Sequence, residues 1–141
     1  MNAGLAQEPI RSRKIGRSIL ALLAGFIVSV VLTLGTDFGL QAAAVLPPFG
    51  HGPLNEFQSA LAAAYRTLYA VLSSYLVARL APLRPMEHAL VGAGIGMLFA
   101  IAGAVATWSK DLGPHWYPLL LIVLALPTGW AGAKLWIVRA H

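Results

Sequence analysis

The chain has 141 residues, 58% of them hydrophobic and only 11% charged, with a formal net charge of +5. A water-soluble domain carries about 25% charged residues, so this composition fits a bilayer as solvent and excludes an ordinary soluble domain. The absence of cysteine excludes disulfides, thiolate metal sites and cysteine nucleophiles.

Residues 1–17 read as a polar, basic tail with no fold of its own, carrying Arg11, Arg13, Lys14 and Arg17. An apolar run at about 18–37 follows. It is longer than the roughly 7–15 residues of a signal-peptide core, so it is expected to stay in the chain as a first span. Gly25, Ser29, Thr33 and Asp37 recur every fourth residue of that span, which sets them along one helical face ending in a carboxylate. The segment "FGLQAAAVL" either extends this helix or lies flat at the interface, and Pro47 and Pro48 end it.

A second span is predicted at about 57–80, with Ser59, Arg66, Tyr69 and Ser73 near one face. "APLRP" breaks it, and a third span follows at about 86–107. Gly92, Gly96, Ala100 and Gly103 form a small-residue seam there, of the kind that lets membrane helices approach closely. "SKDLGPH" precedes a fourth span at about 116–136, where Pro127, Thr128, Gly129 and Gly132 predict a kink. Each run is near the ~20 residues that cross hydrocarbon. The expected architecture is therefore all-α: a four-helix membrane bundle of two up-down hairpins.

The basic residues set an orientation. Arg11, Arg13, Lys14 and Arg17 precede the first span, Arg79 and Arg84 separate the second and third, and Lys134 and Arg139 close the fourth. Only Lys110 falls on the other side. The bias predicts both termini in the cytoplasm, and a bacterial inner membrane fits helical spans of this kind better than an outer membrane built for barrels. Charges that alternate with spans in this way argue against a nucleic-acid surface. They suit anionic lipid headgroups at the cytoplasmic face. Trp108, Trp116, Tyr117 and Trp136 fall at predicted interfaces, the depth amphipathic rings prefer.

Arg66 is the residue that most needs explaining. An arginine at mid-membrane costs between ~3 and ~15 kcal/mol, so it faces protein or water. Asp37 is the expected partner, with Glu56 and Asp111 as rivals, and Tyr65 and Tyr69 are placed to cover the guanidinium. Three readings remain open from sequence. Arg66 and Asp37 pin the first hairpin, or they line an outward-facing site for an anionic group, or Arg66 pairs across a subunit interface. The candidate polar site is Arg66, Asp37, Tyr69, Tyr65 and Ser73.

His51 and His115 lie in predicted outer turns. With Glu56 and Asp111 they have the ligand types of a metal site but no selective spacing, so no metal is assigned. His88 is expected at the cytoplasmic start of the third span, in a helix-end role. No nucleophile-plus-base arrangement is visible, and "GAGIG" lies inside a span where a phosphate loop does not form. No cofactor is read from the residues.

The segments "AYRTLY", "ARLAP", "PMEHA" and "GPHWYP" resemble a loose group of uncharacterised small bacterial four-span membrane proteins. That resemblance implies the membrane fold and no activity. The first span lacks the glutamate of small multidrug exporters, and the asparagine and phenylalanine pattern of small fluoride channels is not apparent. The leading expectation is a small channel- or transporter-like homo-oligomer, packed on the third-span seam, with an outward polar site around Arg66. One alternative is a non-catalytic accessory subunit of a larger membrane complex. Another is a lipid-modifying enzyme at the outer face around Asp37, His51, Asp111 and His115.

Overall fold

The computed structural model describes the backbone of residues 3–49 and 51–141, and the side-chain surroundings of residues 13–49 and 51–141. Four α-helices follow in chain order: α1 (Ala3–Ala42), α2 (Glu56–Leu80), α3 (Pro85–Thr107) and α4 (Trp116–Ala140). A 3-10 turn, Trp108–Lys110, extends α3. Within them Arg13–Ala42, Glu56–Leu80, Pro85–Lys110 and Trp116–Ala140 are long and apolar enough to cross a membrane. A 25-residue helix is ~37 Å long at 1.5 Å per residue, enough for a hydrocarbon core of ~30 Å. The chain is an all-α integral membrane protein.

One boundary differs from the sequence reading, and at another the structure takes one of its two alternatives, the extended first helix. The segment 1–17 is helical from Ala3 onward, where its polarity suggested an unstructured tail. Extending an existing helix costs far less than starting one, so the rigid span carries the helix back through polar residues. At its other end α1 passes Asp37 and stops at Ala42. Asp37 therefore lies inside the helix, five residues from its end, and is only 3% exposed.

Local chemistry sets the start of α2. The Asn55 side chain accepts from the Gln58 backbone N–H, and the Gln58 side chain accepts in return from the Asn55 N–H, a reciprocal cap. Gln58 Nε2 also donates to the Val45 carbonyl at 2.8 Å, tying the long α1–α2 connection to the helix it leads into. The α3–α4 connection is held to the same place, because the Leu54 N–H donates to the Leu112 carbonyl at 2.9 Å. Gly113, at φ +151°, lies against Leu54 in a conformation that a side chain would strain. Both connections thus gather at one end of the bundle, here called the distal end.

Helix α2 packs against all three other helices and most extensively against α4, while α3 packs on α4. Helix α1 leans on α2, touches α3 lightly and does not meet α4 among the described residues. The core is made of small side chains: Ala62, Ala63, Ala78, Ala89 and Ala133 are buried. The large apolar residues, including Phe57, Leu68, Leu98, Val105, Val123 and Val138, point outward. This inversion of the soluble pattern is what lipid permits, since close helix packing rather than water exclusion drives association there.

The tightest approaches are on α4 and α1. A Cβ on Gly132 would meet the Val71 carbonyl and the Ser74 and Tyr75 backbone region, and one on Gly129 would meet Ala93. Gly25 of α1 would meet Val77 and Ser73. The predicted seam on α3 behaves differently. Nothing lies within 4 Å of a Cβ on Gly96 or Gly103, and one on Gly92 would meet only Leu22, at 3.2 Å. Those positions border cavities instead of a neighbouring helix. Pro127 lies inside α4, and the Thr128 hydroxyl donates to the Leu124 and Ala125 carbonyls at 2.8 and 2.9 Å, satisfying backbone acceptors near the proline.

Candidate functional site

Asp37 and Arg66 meet where α1 leans on α2. Arg66 Nη2 donates to Asp37 Oδ2 at 2.9 Å, and the Tyr65 hydroxyl donates to Asp37 Oδ1. Consecutive residues of α2 thus clasp both oxygens of one carboxylate. The two side chains differ in exposure, Asp37 at 5% and Arg66 at 34%. Arg66 is the member of the pair that faces open space. Its guanidinium carbon lies 5.9 Å from the centre of the Tyr117 ring, within the range of a cation–π contact.

That open space is a cavity of about 430 Å³ at the distal end. Its floor is made by Asp37, Tyr65, Arg66 and Tyr117, and its walls by Gly103 and Ala104 of α3 with Pro48, Leu54 and Gly113 of the two connections. Among the described residues three buried side-chain polar atoms have no hydrogen-bond partner: Ser59 Oγ, Arg66 Nε and Tyr117 Oη. All three belong to residues that line this cavity. Each can donate a proton, and leaving such groups buried and unpaired costs about 1–3 kcal/mol apiece. A guanidinium on a wall that also carries the hydroxyl-bearing residues Ser59 and Tyr117 is chemically complementary to an acceptor-rich, anionic group.

A second cavity, about 540 Å³, lies deeper in the membrane-spanning region between α1 and α3, floored by α2 and α4. Its lining is largely apolar, with Leu22, Phe26, Ile95, Phe99 and Leu124, and includes Ser29, Thr33 and Ser73. Arg66, Ala100 and Leu121 line both cavities. Arg66 therefore stands where a distal chamber with a polar floor and largely apolar walls adjoins an apolar lateral groove.

The other residues expected at the site are distributed differently. The Tyr69 hydroxyl is shared with Thr36 Oγ1 at 2.6 Å; its ring lies 5.9 Å from Tyr65, and it lines neither cavity. Ser73 donates to the Gly25 carbonyl at 2.7 Å and borders the lateral groove, away from the distal chamber. Both residues tie α1 to α2. Gly92 and Gly96 line the groove, Gly103 the chamber and Ala100 both. The α3 seam thus contributes small residues to the walls of both cavities, beside Ile95 and Phe99 in the groove.

Tyr117 is the site residue that sequence reasoning assigned elsewhere. Beside Trp116 at a span boundary it has the pattern of an interfacial aromatic belt. Its contact with Arg66 joins residues 51 positions apart, which periodicity cannot register. Asp111 lines the chamber and is exposed. Glu56 accepts from Trp116 Nε1 at 2.7 Å, so neither rival acid pairs with Arg66.

The His115 ring packs tilted against Trp108, centroids 4.3 Å apart, with its Nε2 3.2 Å from the Trp108 carbonyl oxygen; His51 is exposed and not on the cavity wall. Among the described residues no three His, Asp or Glu side chains cluster as metal ligands do. At the opposite end of the bundle His88 Nε2 lies 2.7 Å from Ser18 Oγ, joining α3 to α1 across a sparse interface.

No family model, no curated protein and no solved structure matches the chain.

Proposed function

We propose that the protein is a small channel- or transporter-like membrane protein that admits an anionic group through its distal chamber to Arg66. The observation carrying this reading is Arg66, held by Asp37 through one nitrogen and 34% exposed, on the lining of a chamber it shares with Ser59 and Tyr117. Asp37 holds Arg66 in place through one nitrogen and leaves its side chain partly exposed on the chamber lining. The acid positions the arginine without closing the chamber over it. The positive-inside pattern turns the distal end outward, so the site loads from outside a bacterial inner membrane with both termini in the cytoplasm. Basic residues at the other end suit anionic lipid headgroups. Each copy of the chain contains the whole chamber, so association into a homo-oligomer would multiply sites rather than complete one.

Thermal unfolding of purified protein in maltoside micelles, with increasing inorganic phosphate against matched chloride, tests the anion site. Wild type should gain stability with phosphate concentration, as a ligand of the native state requires, and Arg66→Gln should lose that response. Equal responses in the two proteins, or none in either, would remove the basis of the proposal. The accessory-subunit reading rests on the wide apolar exterior of α1, where Leu20, Phe26, Ile27 and Val31 are exposed. Lipid covers such a face equally well, so the chamber favours the first reading.

A further inference from the structure

The lateral groove gives the proposed site a second half. The distal chamber ends at Arg66, Ala100 and Leu121, and the groove begins at the same three residues. On α3 the groove extends from Ala89 to Ala100, and on α1 from Leu22 to Thr33. Eleven residues of helix cover ~16 Å, about half of a ~30 Å hydrocarbon core. That is the depth of one leaflet of lipid chains. The groove exists because α1 packs on α2 yet only brushes α3, and because Gly92 and Gly96 bring no side chain into the gap.

The mouth of the groove also faces lipid. Phe26 of α1 and Phe99 of α3 stand across it with ring centroids 6.0 Å apart, and both are more than half exposed on the outer surface of the bundle. The two rings are in aromatic contact, so a hydrocarbon chain would enter the groove from the bilayer as this pair parts, without crossing water. A guanidinium beside hydroxyl-bearing residues fits a phosphate, whereas walls of Leu22, Ile95 and Leu124 fit a chain. The two environments meet at a single arginine.

We infer that the ligand is a lipid phosphate, with its headgroup against Arg66 in the distal chamber and its hydrocarbon chain in the lateral groove between α1 and α3. This rests on the anion site proposed above and names the class of molecule that fills it. A free phosphate would use the chamber and leave the groove empty. A neutral lipid would use the groove and leave Arg66 without an anion. Only a molecule with both parts would use the two adjoining spaces together. Arg66 then selects for the charge, and the small residues Gly92, Gly96 and Ala100 leave room for the chain against α3.

Native mass spectrometry of the protein in maltoside micelles can compare dodecyl phosphate, inorganic phosphate and dodecanol. Dodecyl phosphate should bind at least tenfold more tightly than inorganic phosphate, and dodecanol should not compete with it. Gly96→Leu places a side chain where nothing lies within 4 Å of the Cβ position, so the fold accommodates it while the groove is filled. It should remove the tenfold advantage of the chain and leave the thermal response to inorganic phosphate intact. Equal affinity for dodecyl phosphate and inorganic phosphate in wild type would overturn the lipid assignment and leave the anion site standing. Dodecyl phosphate binding unchanged in Arg66→Gln would overturn the anion site as well. Dodecyl phosphate binding unchanged in Gly96→Leu would place the chain outside the groove and likewise contradict the inference.

Discussion

Replacing Asp37 by asparagine keeps the shape of the side chain and an acceptor for Tyr65 while removing the charge opposite Arg66. At the 2.9 Å separation of the pair, an effective dielectric near 20 gives a gross attraction of ~6 kcal/mol. Removing one partner from a fully buried pair costs about 3–5 kcal/mol. Arg66 is 34% exposed to the chamber, so water there recovers part of that cost, and the expected loss is about 2–3 kcal/mol. Arg66→Met should lose a similar amount, because Asp37 is the more deeply buried partner and is then left with Tyr65 alone. The double variant Asp37→Asn/Arg66→Met should fall short of the sum of the two losses by about 2 kcal/mol, the signature of direct coupling. Reversible unfolding in mixed micelles, followed by far-ultraviolet circular dichroism, measures all four proteins. Additive losses would refute the reasoning, since they would mean that the two charges do not sense each other.

Tyr65→Phe removes a hydrogen bond to a carboxylate and should cost about 1.5–3 kcal/mol, whereas Tyr69→Phe removes a neutral one to Thr36 and should cost about 0.5–1.5 kcal/mol; the reverse order in the same unfolding assay would contradict the geometry. Gly132→Ala sets a methyl group against the backbone of α2 and should destabilise by about 1–3 kcal/mol. Gly94→Ala, with nothing within 4 Å, should be neutral or stabilising by up to about 1 kcal/mol through helix propensity. Equal midpoints for the two glycine variants would show that α2 and α4 are not in the close contact described. Because the chain has no cysteine, single cysteines report sidedness directly: His51→Cys should react with an impermeant thiol reagent outside intact cells and His141→Cys only after lysis, and the opposite pattern would invert the topology.

The spans were readable because their ends carry chemistry. The proline-containing breaks "LPPFGHGP", "APLRP" and "SKDLGPH" mark limits of α2, α3 and α4 that the structure places within a few residues of the sequence reading. The start of α1 was not readable, since polar residues 3–17 extend a helix nucleated by the span behind them. The pairing of Asp37 with Arg66 could be inferred by elimination, there being few acids at that depth. The split among the tyrosines could not. Tyr65, Tyr69 and Tyr117 share a composition and a membrane level, and only the lean of α1 on α2 decides which meets Asp37, which meets Thr36 and which covers Arg66. The glycines show the same limit. Spacing marks the α3 residues as a small-residue seam, whereas the α4 glycines, beside Pro127, read as part of a kink. The packing then gave the α4 glycines to a helix contact and the α3 seam to the cavities.

The central claim is that water and anions reach Arg66 through the distal chamber. Gly103→Cys tests it most directly, since this position lines the chamber with no atom within 4 Å of its Cβ direction. Val105→Cys, on the outer surface and 73% exposed, serves as the lipid-facing control. Two methanethiosulfonate reagents of similar size, one carrying a sulfonate and one a trimethylammonium, should both modify Gly103→Cys far faster than Val105→Cys. The sulfonate should be the faster, and adding Arg66→Gln should abolish its advantage. A Gly103→Cys thiol as unreactive as that of Val105→Cys, or a cation preference that persists without Arg66, would contradict the account.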